Sequence, residues 1–317
     1  MKIGLYKDTL ANNRGADVAV RNLAAGLSAR GHDVALFEKE SLADGVKGRY
    51  DVLIAAGTSE IRDLMMDGLP PVILQFHTDP AYQFRHWIRR WRRNRATKAA
   101  MRKCAAIQVL RDEHIQFVKR IVPDVPISVI GNWSSFREDA SVSGFDGDGA
   151  ACTQDDAGIV RTVIYPAAVN KDKNQRLLVS AFESIQHEFP EWRLELYGKG
   201  TVNGFCDLRE AYSRCSILAF PSKTEGFGLA IADAASFGRP SVMIRDWIGT
   251  CAAGGGVVTG PTVREFAAGL RRLMSDAALR RRMGEAARAY CAQRYSRERI
   301  LDQWEQLLQN VANHYFS

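Results

Sequence analysis

Short apolar runs alternate with longer amphipathic segments along this chain of 317 residues. Apolar runs of four or five residues are typical of strands buried on both faces of a parallel sheet, whereas apolar residues recurring every three or four positions are typical of helices. The alternation predicts an α/β protein in which helices connect parallel strands. The predicted strands form two sets: residues 3–7, 34–38, 52–56, 72–76, 106–110 and 128–130, then residues 162–165, 193–197, 217–220, 241–244 and 257–259.

The same pattern predicts two doubly wound domains joined by a linker. Residues 137–158 are rich in Ser, Gly, Asp and Ala and hold few large apolar residues, which is typical of a linker. We therefore expect an N-terminal domain at 1–136, a C-terminal domain at 159–295 and a final helical segment at 296–317. Helices are predicted at 16–29, 174–188, 208–214, 229–236, 262–274 and 277–311, with a break near 295–298.

Composition argues against several classes of protein. The chain is 46% hydrophobic and 25% charged, and no run approaches the roughly 18 apolar residues of a membrane span. The first residues follow a strand pattern and not the apolar stretch of a signal peptide, so we expect a cytoplasmic protein. The six cysteines lack Cys-x-x-Cys spacing and are expected to be reduced thiols. Asp146-Gly147-Asp148 imitates a metal-binding motif but lies in the predicted linker, so we expect a turn there.

Residues 84–103 carry nine positive charges and no acidic residue, against a net charge of +7 for the whole chain. Phe84, Trp87, Ile88 and Trp91 recur at helical spacing, so one face of this segment is aromatic and the other is basic. The segment is either a helix lying peripherally on an anionic membrane surface or a domain helix whose tryptophans pack in the core. Nucleic-acid binding is a third interpretation, but no matching module accompanies the segment, so we expect no nucleic-acid partner.

The most informative motif combines a strand end, a glycine turn and a helix start. The apolar run 217–220 leads into a turn that contains Gly226 and Gly228, and a helix pattern follows. The N–H groups at a helix N-terminus bind anions such as phosphate, and glycine lets a ligand approach the backbone. Glu225 and Asp233 lie eight positions apart around this turn, and carboxylates accept hydrogen bonds from hydroxyl groups. A site with both properties suits a nucleotide sugar.

The segment PSKTEGFGLAIADAASFGRPSV, residues 221–242, resembles the signature of the family 4 glycosyltransferases, which are retaining enzymes. The resemblance implies a GT-B fold, with two Rossmann-like domains facing across a cleft and a last helix that returns to the first domain. It also implies that Glu225 is a catalytic residue contacting the donor sugar, and that Asp233 holds the ribose. The donor diphosphate is then expected at the backbone of Gly226, Phe227, Gly228 and Leu229.

Other stretches resemble the same family in order and spacing. The fourth predicted strand leads to His77, at the place of the family's active-site histidine, which makes it a second catalytic candidate. Gly15 follows the first strand, where the family has a glycine-rich donor-binding loop, and Lys173 lies in its phosphate-binding segment. A plain helix start is the alternative at Gly15, and a surface charge is the alternative at Lys173. The fingerprint Gly-x-Gly-x-x-Gly is absent after the first strand, which argues against a dehydrogenase.

Three departures from the family pattern concern the nucleotide side of this site. Ala168 stands where the family has an arginine, Asp233 where it has a glutamate, and only residues 201–206 stand in place of its longer base-reading region. The resemblance still implies a metal-independent hexosyltransferase that uses a nucleotide-diphosphate sugar and no cofactor. Its acceptor is expected to be a glycan or a lipid-linked sugar, in bacterial surface polysaccharide, lipopolysaccharide or glycolipid synthesis. The departures leave open a non-catalytic GT-B subunit that binds or scaffolds a partner. A nucleotide-sugar epimerase is a further alternative, because such epimerases share the GT-B fold.

Overall fold

The computed structural model describes residues 1–10, 15–39, 42, 46, 48–64, 68–84, 91–136, 161–204 and 208–316. The predicted linker at 137–158 and Asp146-Gly147-Asp148 lie outside the described residues, as do Trp87 and Ile88. By its internal contacts the chain divides into unit 1, Met1–Ser135 with Arg297–Ser317, and unit 2, Phe136–Ser296.

Unit 1 is built on a sheet of six parallel strands in the order β2-β1-β3-β4-β5-β6. The strands are β1 Lys2–Tyr6, β2 Asp33–Phe37, β3 Val52–Ala55, β4 Val72–Gln75, β5 Ala106–Val109 and β6 Ile127–Val129. The helices are α1 Gly15–Ala29, α2 Glu60–Asp63, α3 Pro80–Phe84, α4 Trp91–Met101 and α5 Glu113–Ile121, and later α11 Arg297–Phe316.

Unit 2 is built on five parallel strands in the order β11-β10-β9-β7-β8. The strands are β7 Thr162–Pro166, β8 Arg193–Tyr197, β9 Ile217–Phe220, β10 Ser241–Met243 and β11 Gly256–Val258. The helices are α6 Gln175–Ile185, α7 Leu208–Arg214, α8 Leu229–Ser236, α9 Val263–Met274 and α10 Ala277–Tyr295. All eleven predicted strands are confirmed, and each strand end lies within one residue of its predicted place.

Both sheets share one topological feature that positions ligands. In each sheet the first strand lies between the second and the third, so the chain leaves on one side and returns on the other. The loops after the first and third strands therefore diverge to leave a crevice at the carboxyl edge of the sheet, where doubly wound proteins bind ligands. In unit 1 this switch point lies between β1 and β3, and in unit 2 between β7 and β9.

The core of unit 1 includes one residue of the predicted aromatic face. Phe84 at the end of α3 is 8% exposed and packs against Phe117 of α5, with ring centroids 5.9 Å apart. Phe84 therefore belongs to the core, as the domain-helix interpretation expects of this residue. The basic face is exposed where the structure describes it, at Arg92, Arg93, Arg95, Arg102 and Lys103.

Helix α11 packs against α1 within unit 1. A Cβ at Gly26 of α1 would lie 2.7 Å from Cδ2 of Leu301, so only glycine allows this close approach. Arg30 adds ion pairs to Asp302 and Glu305 at 2.5 and 2.6 Å, and His32 contacts Glu305 at 3.0 Å. The end of α1 is thus fixed to the last helix by both apolar and charged contacts.

Candidate active site

The loops after β7 and β9 are tied together at the switch point of unit 2. The hydroxyl of Tyr165, which ends the buried part of β7, donates to the backbone carbonyl of Lys173 at 3.0 Å and lies 2.5 Å from the Ser222 hydroxyl. The backbone N–H of Lys223 donates to the carbonyl of Asp172 at 2.8 Å. Burial raises the pKa of Tyr165 far above its ordinary value, so this hydroxyl stays protonated and available as a donor.

A local turn aims Lys173 at the crevice. The side-chain oxygen of Asn170 accepts from the backbone N–H groups of Asp172 at 3.0 Å and Lys173 at 2.9 Å, which is an Asx turn. Asn174 adopts a left-handed conformation with φ 56° immediately before α6. Gln175 then donates to the carbonyls of Ala167 and Ala168 at 3.2 and 2.7 Å. These contacts fix the backbone of Lys173 and do not involve its ammonium group, which extends into the crevice.

In that crevice Lys173 meets Glu225. Its Nζ lies 2.5 Å from Oε1 of Glu225, and the two side chains are 28% and 12% exposed. The pair is therefore partly shielded from water but still reachable by a ligand. The lysine expected at the donor phosphate and the carboxylate expected at the donor sugar form one site, and a bound ligand would compete for both charges.

The turn after Glu225 opens helix α8 at the same edge. Gly228, with φ 105°, is in the left-handed region, and a Cβ there would lie 3.0 Å from Ile231 Cδ1. The first turn of any α-helix carries N–H groups without intrahelical acceptors, and together with the helix dipole they favour an anion. Phe227 is 3% exposed and packs edge-on against Tyr295 at 5.0 Å, so it can contact a ligand only through its backbone.

Asp233 occupies the second turn of α8 and is only 6% exposed. Its charge contributes, after burial, to raising the pKa of the Tyr212 hydroxyl. Tyr212 in turn stacks on Phe237 at 6.0 Å and meets Phe136 edge-on at 5.5 Å. The carboxylate predicted for the ribose is therefore largely buried and does not lie on an open surface.

The switch point of unit 1 holds a second lysine–glutamate pair. Lys7 follows β1, and Glu60 begins α2 after β3. Nζ of Lys7 contacts Oε1 of Glu60 and lies 2.5 Å from Oδ1 of Asp8. Glu60 is 1% exposed and also accepts from the Ser59 hydroxyl at 2.7 Å. Sequence reasoning missed these residues, although a lysine directly after the first strand and an acid shortly after the third were a usable signal.

His77 lies close to this cluster, two residues after β4. Its Nε2 is buried and has no hydrogen-bond partner among the described residues. Burial, with the Lys7 cation as a smaller cause, lowers the pKa of His77 to about 3. The imidazole is therefore neutral near pH 7 and could present Nε2 to a ligand. Gly15 is the exposed first residue of α1, and residues 11–14 before it are outside the described part.

The remaining functional candidates concern metals, thiols and membranes. The described residues contain no group of three or more His, Cys, Asp or Glu side chains arranged to hold a metal ion. Cys104, Cys215, Cys251 and Cys291 are free thiols, and burial raises the pKa of Cys104 to about 12. Within the described helices, none is long and apolar enough to cross a bilayer.

Solved structures of similar architecture cover almost the whole chain. The sucrose-phosphate synthase of Thermosynechococcus elongatus superimposes with a TM-score of 0.76 at 16% identity, covering 98% of each chain. HepE of Anabaena, solved with UDP and glucose, gives 0.74 at 16% identity over 98% of this chain and 99% of its own. This chain has the GT-B fold. Residues 160–276 also match the family model "Glycosyl transferases group 1", and this segment contains both Lys173 and Glu225.

One curated protein matches at the sequence level. An exopolysaccharide phosphotransferase of Streptomyces coelicolor is 26% identical over an alignment of 190 residues that covers 48% of this chain. The chain spans 19% of that protein's length. The likeness to group 1 glycosyltransferases thus rests on residues 160–276, and the solved neighbours show the GT-B fold.

Proposed function

We propose that this protein is a metal-independent, retaining glycosyltransferase of family 4 that moves a hexose from a nucleotide-diphosphate sugar to an acceptor hydroxyl. The observation that carries the proposal is the Lys173–Glu225 pair, 2.5 Å apart, at the β7/β9 switch point beside the start of α8. A cation, a carboxylate and a helix N-terminus in one crevice match the phosphate and the hydroxyl groups of such a donor.

In this proposal the bound ligand separates the ion pair, and Lys173 and Glu225 each contact a group of the ligand. The Lys173 ammonium turns to the diphosphate, which also lies against the backbone of residues 226–229. Glu225, released from Lys173, accepts hydrogen bonds from hydroxyl groups of the donor sugar. The negative charge of the diphosphate grows as the sugar leaves, so Lys173 and the α8 N-terminus stabilise the transition state more than the ground state.

The proposed chemistry needs no protein nucleophile. The bond between the sugar C1 and the β-phosphate oxygen breaks, and its electron pair stays on that oxygen. The acceptor oxygen bonds to C1 on the same face, and the acceptor proton passes to the departing phosphate. A neutral His77 is suited to line the sugar as a hydrogen-bonding group, because an imidazolium would oppose positive charge developing on the sugar ring.

The proposed setting is the synthesis of a surface polysaccharide or glycolipid. The name of the Streptomyces relative, an exopolysaccharide phosphotransferase, supports this setting. The exposed basic face of α4 supports contact with an anionic membrane surface, where a lipid-linked acceptor would lie. We expect co-sedimentation with anionic vesicles to weaken in the double variant Arg92→Gln/Arg102→Gln but not in Arg281→Gln/Arg282→Gln, whose residues are exposed on α10.

Turnover of a panel of nucleotide sugars tests the activity. The proposal expects release of a nucleoside diphosphate from at least one donor, unchanged by EDTA, and its loss in a folded Glu225→Gln variant. Product analysis distinguishes transfer with retained configuration from epimerisation of the donor. Binding without turnover for every donor and acceptor would favour the non-catalytic subunit, which the exposed Ala168 and the buried Asp233 make a specific alternative.

A further inference from the structure

Unit 1 contains a pocket of about 400 Å³ at the carboxyl edge of its sheet. Thr58 and Ser59 come from the loop after β3, Thr78 from the loop after β4, and Arg93, Asn94 and Thr97 from the start of α4. Thr78 directly follows His77 in the chain. Ser59 of the pocket wall also donates to Glu60 at 2.7 Å, and the charge of Glu60 pairs with Lys7.

The described lining of this pocket is cationic and rich in hydroxyl groups. It includes Arg62 and Arg93 but no acidic residue. Nη1 of Arg62 donates to the Thr58 carbonyl and to the Thr97 hydroxyl, each at 2.9 Å, and no carboxylate among the described residues pairs with Arg62. The guanidinium is thus held in place by neutral groups, and its charge is not neutralised by a described acid.

The polar groups of the pocket wall are organised by one another. The Thr58 hydroxyl donates to Oε1 of Gln83 at 2.6 Å, and Nε2 of Gln83 donates to the Thr78 hydroxyl at 2.6 Å. This chain fixes two hydroxyl groups and one amide on the pocket wall. Fixed, neutral donors and acceptors of this kind recognise the hydroxyl groups of a sugar ring.

The buried side-chain amide of Asn94 points to a ligand. Its side chain is 3% exposed and lines the pocket, and its Nδ2 is buried with no hydrogen-bond partner in the described part of the chain. A buried amide without a partner loses its hydrogen bonds to water without replacement, so folded proteins seldom keep one without a reason. A ligand acceptor atom in the pocket would supply the missing partner.

We infer that this pocket binds an oxyanion carried on a sugar, that is, a carboxylate or phosphate attached to a hydroxyl-bearing ring. Arg62 takes the charge, while Asn94 and the Thr58–Gln83–Thr78 chain take the ring oxygens. The assignment of this pocket to the acceptor rests on the proposed function, whereas the inference that the pocket binds such a sugar does not depend on that function. The acceptor of the reaction is then an acidic or phosphorylated sugar and not a neutral one.

Titrations of the full chain with four probes test this inference. The probes are glucuronate, glucose 6-phosphate, glucose and inorganic phosphate. Ligand-detected NMR and calorimetry measure their binding. We expect both anionic sugars to bind about tenfold more tightly than glucose and than phosphate alone. Equal affinities for phosphate and glucose 6-phosphate would indicate a simple anion site and would overturn the inference. Equal affinities for glucose and the two anionic sugars would also overturn it.

Three variants assign the binding to the pocket. Arg62→Gln and Asn94→Leu are expected to weaken glucuronate binding about tenfold. Arg102→Gln, which removes an exposed charge outside the pocket, is the matched control and is expected to bind like the unchanged chain. Asn94→Leu removes an unpaired buried amide, so its thermal stability should not fall, which separates lost recognition from misfolding.

UDP titrations on the same variants keep the two proposals distinct. Unchanged UDP binding with lost glucuronate binding in Asn94→Leu supports the pocket. Unchanged glucuronate binding in both pocket variants overturns the inference about the pocket, whether or not UDP binds to unit 2. A protein that binds glucuronate through the pocket but no nucleotide sugar contradicts the proposed function while leaving the pocket intact. If anionic vesicles bind through Arg62 and Asn94 in place of soluble sugars, the inference is also wrong.

Discussion

Lys173 and Glu225 are 52 residues apart in the chain, and their charged groups lie 2.5 Å apart between the loops after β7 and β9. Lys7 and Glu60 stand in the same topological relationship in unit 1, after β1 and β3. The two pairs differ in burial. Glu60 is 1% exposed and held by further donors, whereas Lys173 and Glu225 remain 28% and 12% exposed. The pair in unit 1 is thus the more deeply buried of the two, and the pair in unit 2 is the more accessible to solvent.

The Lys173–Glu225 pair is expected to contribute little to stability despite its short distance. A double-mutant cycle with Lys173→Met and Glu225→Gln should give a coupling free energy of about 1 kcal/mol or less, because partly exposed ion pairs are screened. Urea unfolding of the four proteins measures this value. A coupling of about 4 kcal/mol would show a buried structural pair and would argue against a role in ligand binding.

The Arg161–Glu191 pair is the matched control for that cycle. Its charged groups are also 2.5 Å apart in unit 2, but both side chains are more than 40% exposed and lie outside the crevice. Arg161→Met and Glu191→Gln should leave nucleotide-sugar binding unchanged. Equal losses of binding in both pairs would mean that the crevice is not the site.

Acid should destabilise unit 1 through His77. The pKa of His77 is lowered by burial and by Lys7 to about 3 in the folded protein, against about 6.5 unfolded. The unfolded chain therefore binds the proton first, so stability is complete above about pH 6.5 and falls as the pH drops toward 3. The loss between pH 7 and pH 4 is roughly 3 kcal/mol from this group.

A His77→Gln variant tests the cause of that acid sensitivity. Chemical denaturation across pH 4–7 should show a flatter profile in the variant than in the unchanged chain. Asp8 adds to the loss in both proteins, because contacts with Lys7 and Glu60 lower its pKa below the ordinary value. Identical profiles for the two proteins would show that His77 is not the buried neutral group described above.

Gly26 should show a reversal of the usual effect of alanine in a helix. Gly→Ala normally stabilises a helix interior by about 1 kcal/mol, but here the new methyl group would meet Leu301 at 2.7 Å. Gly26→Ala should therefore destabilise the unchanged chain by roughly 1 kcal/mol and stabilise a Leu301→Ala variant. The same sign in both backgrounds, measured by urea unfolding, would contradict the packing of α11 on α1.

Asp233 is predicted to act on the nucleoside and not on the phosphates. Asp233→Asn should weaken the binding of UDP by about tenfold and leave the binding of inorganic pyrophosphate unchanged, because only UDP carries ribose hydroxyl groups. Calorimetry with the two ligands measures the difference. Parallel losses for both ligands would indicate that the buried Asp233 supports α8 and does not contact the ribose.

The strands could be predicted from the sequence because each buried parallel strand is a short apolar run with turn residues at its ends. Helix α5 was missed, although His114, Val118 and Ile121 share its buried face, because the histidine interrupts the apolar pattern. Helix α2 is too short, at four residues, to show a period. Phe84 could not be assigned to core or surface from its spacing, since both kinds of helix place aromatic residues on one face.

The glycine turn with Glu225 and Asp233 could be proposed as a site from its local pattern, whereas His77 and Lys173 were proposed only through the family resemblance. The contacts between these residues could not be predicted. The ion pair between Lys173 and Glu225 depends on strand order, which brings the loops after β7 and β9 together. The same holds for Lys7 and Glu60. The burial of Asp233 depends on tertiary packing around α8, which no local pattern encodes.

The central claim is that the β7/β9 crevice binds a nucleotide-diphosphate sugar, and calorimetric titration with a panel of such donors tests it most directly. We expect at least one donor to bind, with an affinity reduced about tenfold or more in Lys173→Met and unchanged in Arg161→Met. No binding of any donor to the folded chain, or equal binding to the Lys173→Met variant, would contradict the claim.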